Sequence, residues 1–471
     1  MTFTGNYETD DQALCERFCF EKNYDLGHRT LQFGPRRASL FFVEAFLNSA
    51  LSEKILQGFL GLTENDFAKA PTAEVFAKTQ VPHTEVHTTD TVERAAVEML
   101  SGMTVLLIEG YTACLLLDWR EYPMRAVSEP EDDRVLRGAH DGFCEAVKQN
   151  VSLIRRRVRT PDFCVEKFSI GSRSHTDVVL CYVQGVADPR LVAELRTKLS
   201  AVDIPSLSMG QESLTECLVK TQKWNPLPKV RTTERPDRAA ASVLEGKLIV
   251  MVDNSPVAMV LPTGIFDFMQ DTNEYYFPPC TGTFLRVVRF GIFIGALLLI
   301  PAWYMLVENP SLLPVALEPL RIKESVALPL FWQILLVEWI VDGLKLASLN
   351  TPSALSNAFG IIGALILGEF AVSARILIPD VLLYMAFVSV SSFVQPSFQL
   401  GYAFKVFRLM LIVLIAVLGP WGLPLGIVLM LLCIGFTHTV TSTSYLYPLI
   451  PLDPPSLLRL FVRRSIHRDN C

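Results

Sequence analysis

The chain has 471 residues, is 50% hydrophobic and 19% charged, and has a mean hydropathy of +0.33 with a formal net charge of −6. It is too apolar for an average soluble enzyme and too charged for a protein made only of membrane helices, and its mild negative balance excludes nucleic acid as a partner. Of its 10 cysteines only Cys15 and Cys19 are close, and no His or Cys follows them at zinc-ligand spacing, so reduced thiols are expected rather than a disulfide framework.

Charge and hydropathy divide the chain in two. Residues up to 285 read as a charged α/β protein, and residues 290 to 450 read as membrane. The first segment, residues 1–19, is polar and acidic at its start, with no basic opening and no apolar core of a signal peptide, and is expected as a tail.

A first α/β subdomain is expected over residues 20–128 and a second over 160–265, because two pairs of segments repeat. Residues 40–56 (LFFVEAFLNSALSEKIL) resemble 179–195 (VLCYVQGVADPRLVAEL): a buried strand, a polar loop, then a helix capped by Ser49 or Asp188. Residues 99–118 (MLSGMTVLLIEGYTACLLLD) align without a gap on 243–262 (VLEGKLIVMVDNSPVAMVLP), with Gly102 opposite Gly246. Glu109-Gly110 and Asp253-Asn254 fall between apolar runs as turn dipeptides, since Gly and Asn tolerate the positive φ of a tight hairpin.

A linking helix is expected within residues 129–159. Phe143, Val147, Val151, Ile154 and Val158 share one face of a helix over 141–157. Glu129, Arg137, Asp141, Glu145 and Arg155 are its candidates for contacts between subdomains or subunits. No Gly-rich phosphate loop, GxSxG or HExxH is present, so neither catalysis nor a cofactor is expected. His83 and His87 stand four apart in a Thr-rich, loop-like stretch, and His140-Asp141 in a charged helix start; neither reads as a metal site.

After a connector (266–283), an α-helical polytopic membrane domain is expected over 284–450, then a basic tail over 451–471. Five apolar blocks are visible, at 284–307, 327–346, 355–374, 378–394 and 409–436. The last is interrupted at Gly419-Pro420, so it is either one kinked helix or a hairpin. Arg286 and Arg289 precede the first block, and Arg459, Arg463, Arg464 and Arg468 follow the last, which puts both ends in the cytoplasm and makes the crossings even, four or six.

Gly291 and Gly295, and Gly360, Ala364 and Gly368, repeat at small-residue packing spacing. Glu338, Asp342 and Lys345 lie on one helix face, and Glu369 ends the third block. A charge at bilayer depth costs about 2.5–3.5 kcal/mol on insertion scales, so Glu338, Asp342 and Glu369 are candidates to line a cation pathway.

Residues 129–157 (EPEDDRVLRGAHDGFCEAVKQNVSLIRRR) resemble the signature of the GerA family of spore germination receptor A subunits. So do residues 233–237 (TERPD), Leu244-Glu245-Gly246 and Asp253-Asn254-Ser255-Pro256. Further phrases mark one branch of that family: Lys223-Trp224-Asn225-Pro226-Leu227-Pro228, Thr281-Gly282-Thr283-Phe284-Leu285-Arg286 and Pro451-Leu452-Asp453-Pro454. The resemblance implies a multi-pass protein of the inner spore membrane, in contact with lipid, that acts in germination as a homo-oligomeric, ligand-gated ion-channel subunit. Its branch implies work beside the nutrient receptor complexes, with a small membrane partner. A nutrient-binding A subunit with B and C partners, and a non-conducting assembly scaffold, are the other two roles that the residues leave open.

Overall fold

The computed structural model describes residues 1–122, 138–219, 224–312, 328–350 and 371–463. These form two compact units: Met1–Thr221 with Val230–Thr263 and Val440–Ser442, and Gln222–Lys229 with Gly264–Thr439 and Thr443–Cys471.

The first unit contains two five-stranded antiparallel sheets. One uses β1 (Leu26–Phe33), β2 (Arg36–Val43), β3 (Val86–Thr89), β4 (Thr104–Ile108) and β5 (Cys114–Leu117), in the order β1-β2-β4-β5-β3. The other uses β6 (Phe163–Ile170), β7 (Thr176–Val183), β8 (Arg231–Thr233), β9 (Leu248–Val252) and β10 (Ala258–Leu261), in the order β6-β7-β9-β10-β8, which repeats the first. Helices α1 (Tyr7–Phe18), α2 (Ser49–Leu60), α3 (Glu64–Lys69), α4 (Ala73–Thr79) and α5 (Val92–Leu100) flank the first sheet. Helices α6 (Val147–Arg155), α7 (Pro189–Ser200), α8 (Gln211–Leu218) and α9 (Pro236–Leu244) flank the second.

The central strands β4 and β9 are buried along their whole length and apolar at all positions but Thr104, because both faces are covered. Val105 and Leu107 of β4 pack with Leu14 and Phe18 of α1 and Ala95 and Met99 of α5. Leu106 and Ile108, on the opposite face by the two-residue period of a strand, pack with Ile55 and Phe59 of α2. In the second sheet Ile249 and Met251 meet Val151 and Ile154 of α6 and Val243 of α9, while Leu248 and Val250 meet Val192 and Leu195 of α7. Each such side chain contributes about 1.5–3 kcal/mol by leaving water.

The repeat extends to individual hydrogen bonds. The Phe3 and Phe143 amides donate to the carbonyls of Asp90 and Glu234. The Thr4 and Cys144 amides donate to the side chains of Asp10 and Asn150, at 2.9 and 2.8 Å. Gly102 and Gly246 both have positive φ (102° and 88°), as do Gly110 and Asn254 (86° and 62°), so the hairpin turns use the backbone freedom that the sequence reading assigned them.

These equivalences correct three expectations. The stretch 1–19 is not a tail: Phe3, Leu14 and Phe18 are core residues, and α1 is the first helix of the first copy. The linking helix does not reach back to Asp141; it is only α6, nine residues long, and it occupies in the second copy the place of α1. Phe143 and Val158 are buried as expected, but they lie in non-helical chain on either side of α6. The alignment of 40–56 with 179–195 is one residue out. Leu40 pairs with Leu106 and Leu180 with Val250, so Leu40 corresponds to Leu180, and a one-residue slip exchanges the two faces. The helix cap is accordingly Asn48, whose side chain accepts from the Leu51 amide, with Asp188 as its counterpart.

The two copies meet around a buried ion pair. Arg155 is fully buried and its Nε and Nη2 each lie 2.8 Å from a carboxylate oxygen of Asp25, while Nη1 donates to the Phe163 carbonyl at 2.9 Å. Beside it the Asn23 side chain accepts from the Val165 amide at 3.1 Å, and the Tyr24 amide donates to the Val165 carbonyl at 3.0 Å.

In the second unit the long helices are α10 (Pro279–Glu308), α11 (Leu330–Asn350), α12 (Pro379–Val394), α13 (Phe398–Leu418) and α14 (Gly422–Gly435). The stretches Pro279–Glu308 and Phe398–Gly435 are long and apolar enough to cross a bilayer, with mean hydropathy 2.2 and 2.3. The second stretch is a hairpin. Gly419 takes φ 60°, and a Cβ on Gly426 would meet the Leu411 side chain, although those residues would be about 22 Å apart on one continuous helix. Arg286 and Arg289, at the start of α10, are matched by acids: Arg286 Nε lies 2.6 Å from buried Glu274, and Arg289 Nη2 lies 2.8 Å from Asp271.

Replacing Asp25 by Asn strands the Arg155 guanidinium in the core, and a loss of about 3–5 kcal/mol is expected. Urea unfolding of the detergent-solubilised chain, followed by circular dichroism, measures it, and Asp25→Leu with Arg155→Met should recover most of the loss.

A second test concerns pH. Burial pushes the Glu166 carboxyl up, but the two-pronged contact with Arg196 (2.8 and 2.6 Å) and the Tyr182 hydroxyl more than reverse this, leaving it below the usual carboxylate range. A depressed carboxyl gives stability that is full above its unfolded value, about 4.3, and lost as the pH falls through the folded value. Glu166→Gln should therefore lower the thermal midpoint at pH 7 and flatten its decline below pH 5.

Candidate functional site

A helix places side chains four apart on one face, so Glu338 and Asp342 of α11 project together, as do Lys405 and Arg408 of α13 at three apart. The structure sets these pairs against each other. Arg408 Nε and Nη2 lie 3.0 and 2.5 Å from Glu338 Oε1, and Lys405 Nζ lies 2.9 Å from Glu338 Oε2. Lys405 also contacts Asp342, so its ammonium stands between the two carboxylates. The third guanidinium nitrogen, Arg408 Nη1, donates to the Ala296 carbonyl of α10 at 3.0 Å, so one side chain joins three helices.

The cluster is internal. Glu338 is 3% exposed and Arg408 6%, amid apolar residues that include Val337, Leu411 and Ile412. Taking each ion out of water costs several kcal/mol, which only full pairing offsets. Asp342 differs from Glu338: its side chain keeps 32% exposure, while its Oδ1 is buried with no hydrogen-bond partner among the described residues. Lys345 turns to α12, donating to Ser392 Oγ at 2.8 Å with its ammonium 5.5 Å from the Phe393 ring centre.

The remaining candidate residues fall elsewhere. Gly295 faces Phe387 of α12, where a Cβ would make ordinary contact at 3.4 Å, whereas a Cβ on Gly291 would meet nothing within 4 Å. Asp141 pairs with Arg157 at 2.6 Å, Glu145 is exposed, and Arg155 lies in the contact between the two α/β copies. Glu129, Arg137, Gly360, Ala364, Gly368 and Glu369 lie outside the described residues.

Sequence reading found the acidic face but not its partners. Lys405 and Arg408 carry no role in that reading. The missed clue is their spacing: two cations on one face of an apolar helix need two acids on another.

The second unit is thus a set of apolar helices clamped by an internal charge cluster, and it shares its chain with a duplicated α/β region. The Bacillus/Clostridium GerA spore germination protein family matches residues 16–470, and the chain belongs to that family. Stage V sporulation protein AF of Bacillus subtilis (strain 168) is 33% identical over 461 residues, 98% of this chain and 93% of the relative. Spore germination protein KA of the same organism is 30% identical over 364 residues, 76% of this chain and 65% of the relative. Among solved structures, the N-terminal domain of the A subunit of the Bacillus megaterium spore germinant receptor GerK3 is 24% identical, with a TM-score of 0.43, over 56% of this chain and 96% of that domain.

Neutralising Glu338 by Gln should leave Arg408 without its counter-charge and lower stability by about 3–5 kcal/mol. Thermal denaturation in detergent is the measurement, and the exchange Glu338→Arg with Arg408→Glu should restore part of what either single change removes.

Proposed function

We propose that this chain is an integral, multi-pass protein of the inner spore membrane, with both ends cytoplasmic. In this reading it acts in germination as a subunit of a homo-oligomeric ion channel. The role is non-catalytic: the channel raises the germination response, working beside receptor complexes with a small membrane partner.

Family membership supports the setting. The charge cluster carries the reading: Glu338, Asp342, Lys405 and Arg408 stand together inside apolar helices, where ionisable groups ordinarily serve an ion or proton path. Within the cluster the roles divide. Glu338 is held by two cations and serves as the clamp. Asp342, whose side chain keeps the greater exposure, is the group that a permeating cation meets. The uncovered Gly291 on α10 offers a close-packing face to another subunit.

The test is cation flux in vesicles containing the purified chain, with and without its small partner. Asp342→Asn should reduce flux several-fold, and Lys405→Met, which removes the amine between the carboxylates, should raise it. Flux indifferent to both changes sinks the pathway. An oligomer that is electrically silent would instead make the chain a scaffold, and a nutrient-dependent rise in thermal midpoint would make it a receptor subunit.

A further inference from the structure

The two α/β copies differ where α1 and α6 cross their sheets. In the second copy Val151 of α6, Val165 of β6 and Val179 of β7 are buried in the core. The hydrogen-bond and strand equivalences place Asp11, His28 and Ser39 at those three positions in the first copy, with Cys15 where the second copy has Arg155. A site that this fold closes with three valines is thus built, in the first copy, from a carboxylate, an imidazole, a hydroxyl and a thiol.

These groups converge. The Cys15 Sγ lies 3.8 Å from His28 Nδ1 and 3.9 Å from Asp11 Oδ2, and one donor atom from each of the three residues falls within 4.8 Å of the others. On the far side of the ring, His28 Nε2 lies 3.1 Å from Asp11 Oδ1 and 3.4 Å from Ser39 Oγ, which is in turn 2.7 Å from the Tyr7 hydroxyl. The ring is stacked on Phe41, with centres 4.6 Å apart and planes 9° from parallel. The imidazole is therefore fixed, with one nitrogen tied to oxygen acceptors and the other aimed at the thiol.

We propose that Asp11, Cys15 and His28 form a divalent transition-metal site of the zinc class. Sulfur, nitrogen and oxygen donors in one set suit zinc or cobalt rather than magnesium or calcium, which take oxygen alone. Zinc bond lengths of about 2.0–2.3 Å in a tetrahedron set neighbouring donors about 3.3–3.6 Å apart, so the Cys15 sulfur is within a few tenths of an ångström of that spacing from both partners, and binding draws the imidazole nitrogen and the Asp11 carboxylate together from within 4.8 Å. Ser39, 3.4 Å from His28 Nε2, takes the outer role that metal-bound histidines require, accepting the other ring N–H as the Asp11 carboxylate turns to the ion. His28 and Asp11 retain 25% and 21% side-chain exposure, which leaves the fourth position to water or an exchangeable ligand. Sequence spacing hides the site because His28 reaches the helix from a neighbouring strand.

The experiment is a cobalt(II) titration of the purified, metal-stripped full chain in detergent. One equivalent should bind, with the intense visible bands of a tetrahedral ion and a thiolate-to-metal charge-transfer band, and zinc should displace it. Cys15→Ser should abolish the charge-transfer band, and Ser39→Ala should weaken affinity about 10–100-fold. The combined variant Asp11→Val, His28→Val and Ser39→Val installs the residues of the second copy, so it should keep or raise the thermal midpoint while losing the ion. Absence of a stoichiometric site, or cobalt spectra unchanged by Cys15→Ser and by the triple variant, overturns the proposal.

Discussion

A buried charge is tolerable only when its hydrogen-bonding groups are met, and the buried guanidinium groups of Arg155 and Arg408 impose that constraint at the two places where helices and copies meet. Arg155 holds Asp25 with two hydrogen bonds and the Phe163 carbonyl with a third. Arg408 holds Glu338 and the Ala296 carbonyl. Apolar side chains of similar volume would stabilise either place about as well, because the desolvation cost cancels most of the attraction. What the ion pair adds is a penalty for any arrangement in which the partner is absent. Arg155 accordingly fixes which edge of the first copy meets the second, and Arg408 fixes which faces of α10 and α11 meet α13.

The duplicated region shows how one scaffold divides its uses. The two sheets share strand order, covering helices, hairpin turns and the capping bonds of Asp10 and Asn150. Against that constancy one position carries Arg155 in the second copy and Cys15 in the first. The arginine is spent on the junction between the copies. The cysteine stands in a polar cluster that the packing of the fold does not call for. Where function parts from fold, it does so in side chains on an unchanged backbone.

What the sequence disclosed follows from the range of each interaction. The hairpins around Gly110 and Asn254 were legible because a positive φ is a property of single residues. The strands were legible because burial on both faces leaves a continuous apolar run. The helix over 141–157 was overdrawn because Phe143 fits helical periodicity, yet Asn150 bonds back to the Cys144 amide and carbonyl and stabilises a non-helical entry, just as Asp10 binds the Thr4 amide. The slip of the 40–56 segment arose because two equivalent strands, each apolar at nearly every position, align almost equally well one residue apart. The partners of Glu338, and the approach of His28 to Cys15, are contacts between elements distant in sequence or direction, and spacing alone carries no trace of them.

Under the proposed channel role, the position of Lys405 sets the terms of conduction. Its ammonium lies between the carboxylates of Glu338 and Asp342, where a mobile cation would otherwise be held. A tethered charge competes at the effective concentration of its own short linker, which is millimolar or above, so a free ion displaces it poorly by mass action. Opening therefore calls for withdrawal of the lysine, and the lysine belongs to α13. That helix packs closely on α14, where a Cβ on Gly422 would run into the Leu414 backbone and one on Gly426 into the Leu411 side chain. A shift of this hairpin past α11 by a single helical turn, about 5.4 Å, would carry Lys405 off both acids. The same shift would break the contact of Arg408 with Glu338, so the clamp that holds the closed arrangement together is also the barrier that a stimulus must overcome.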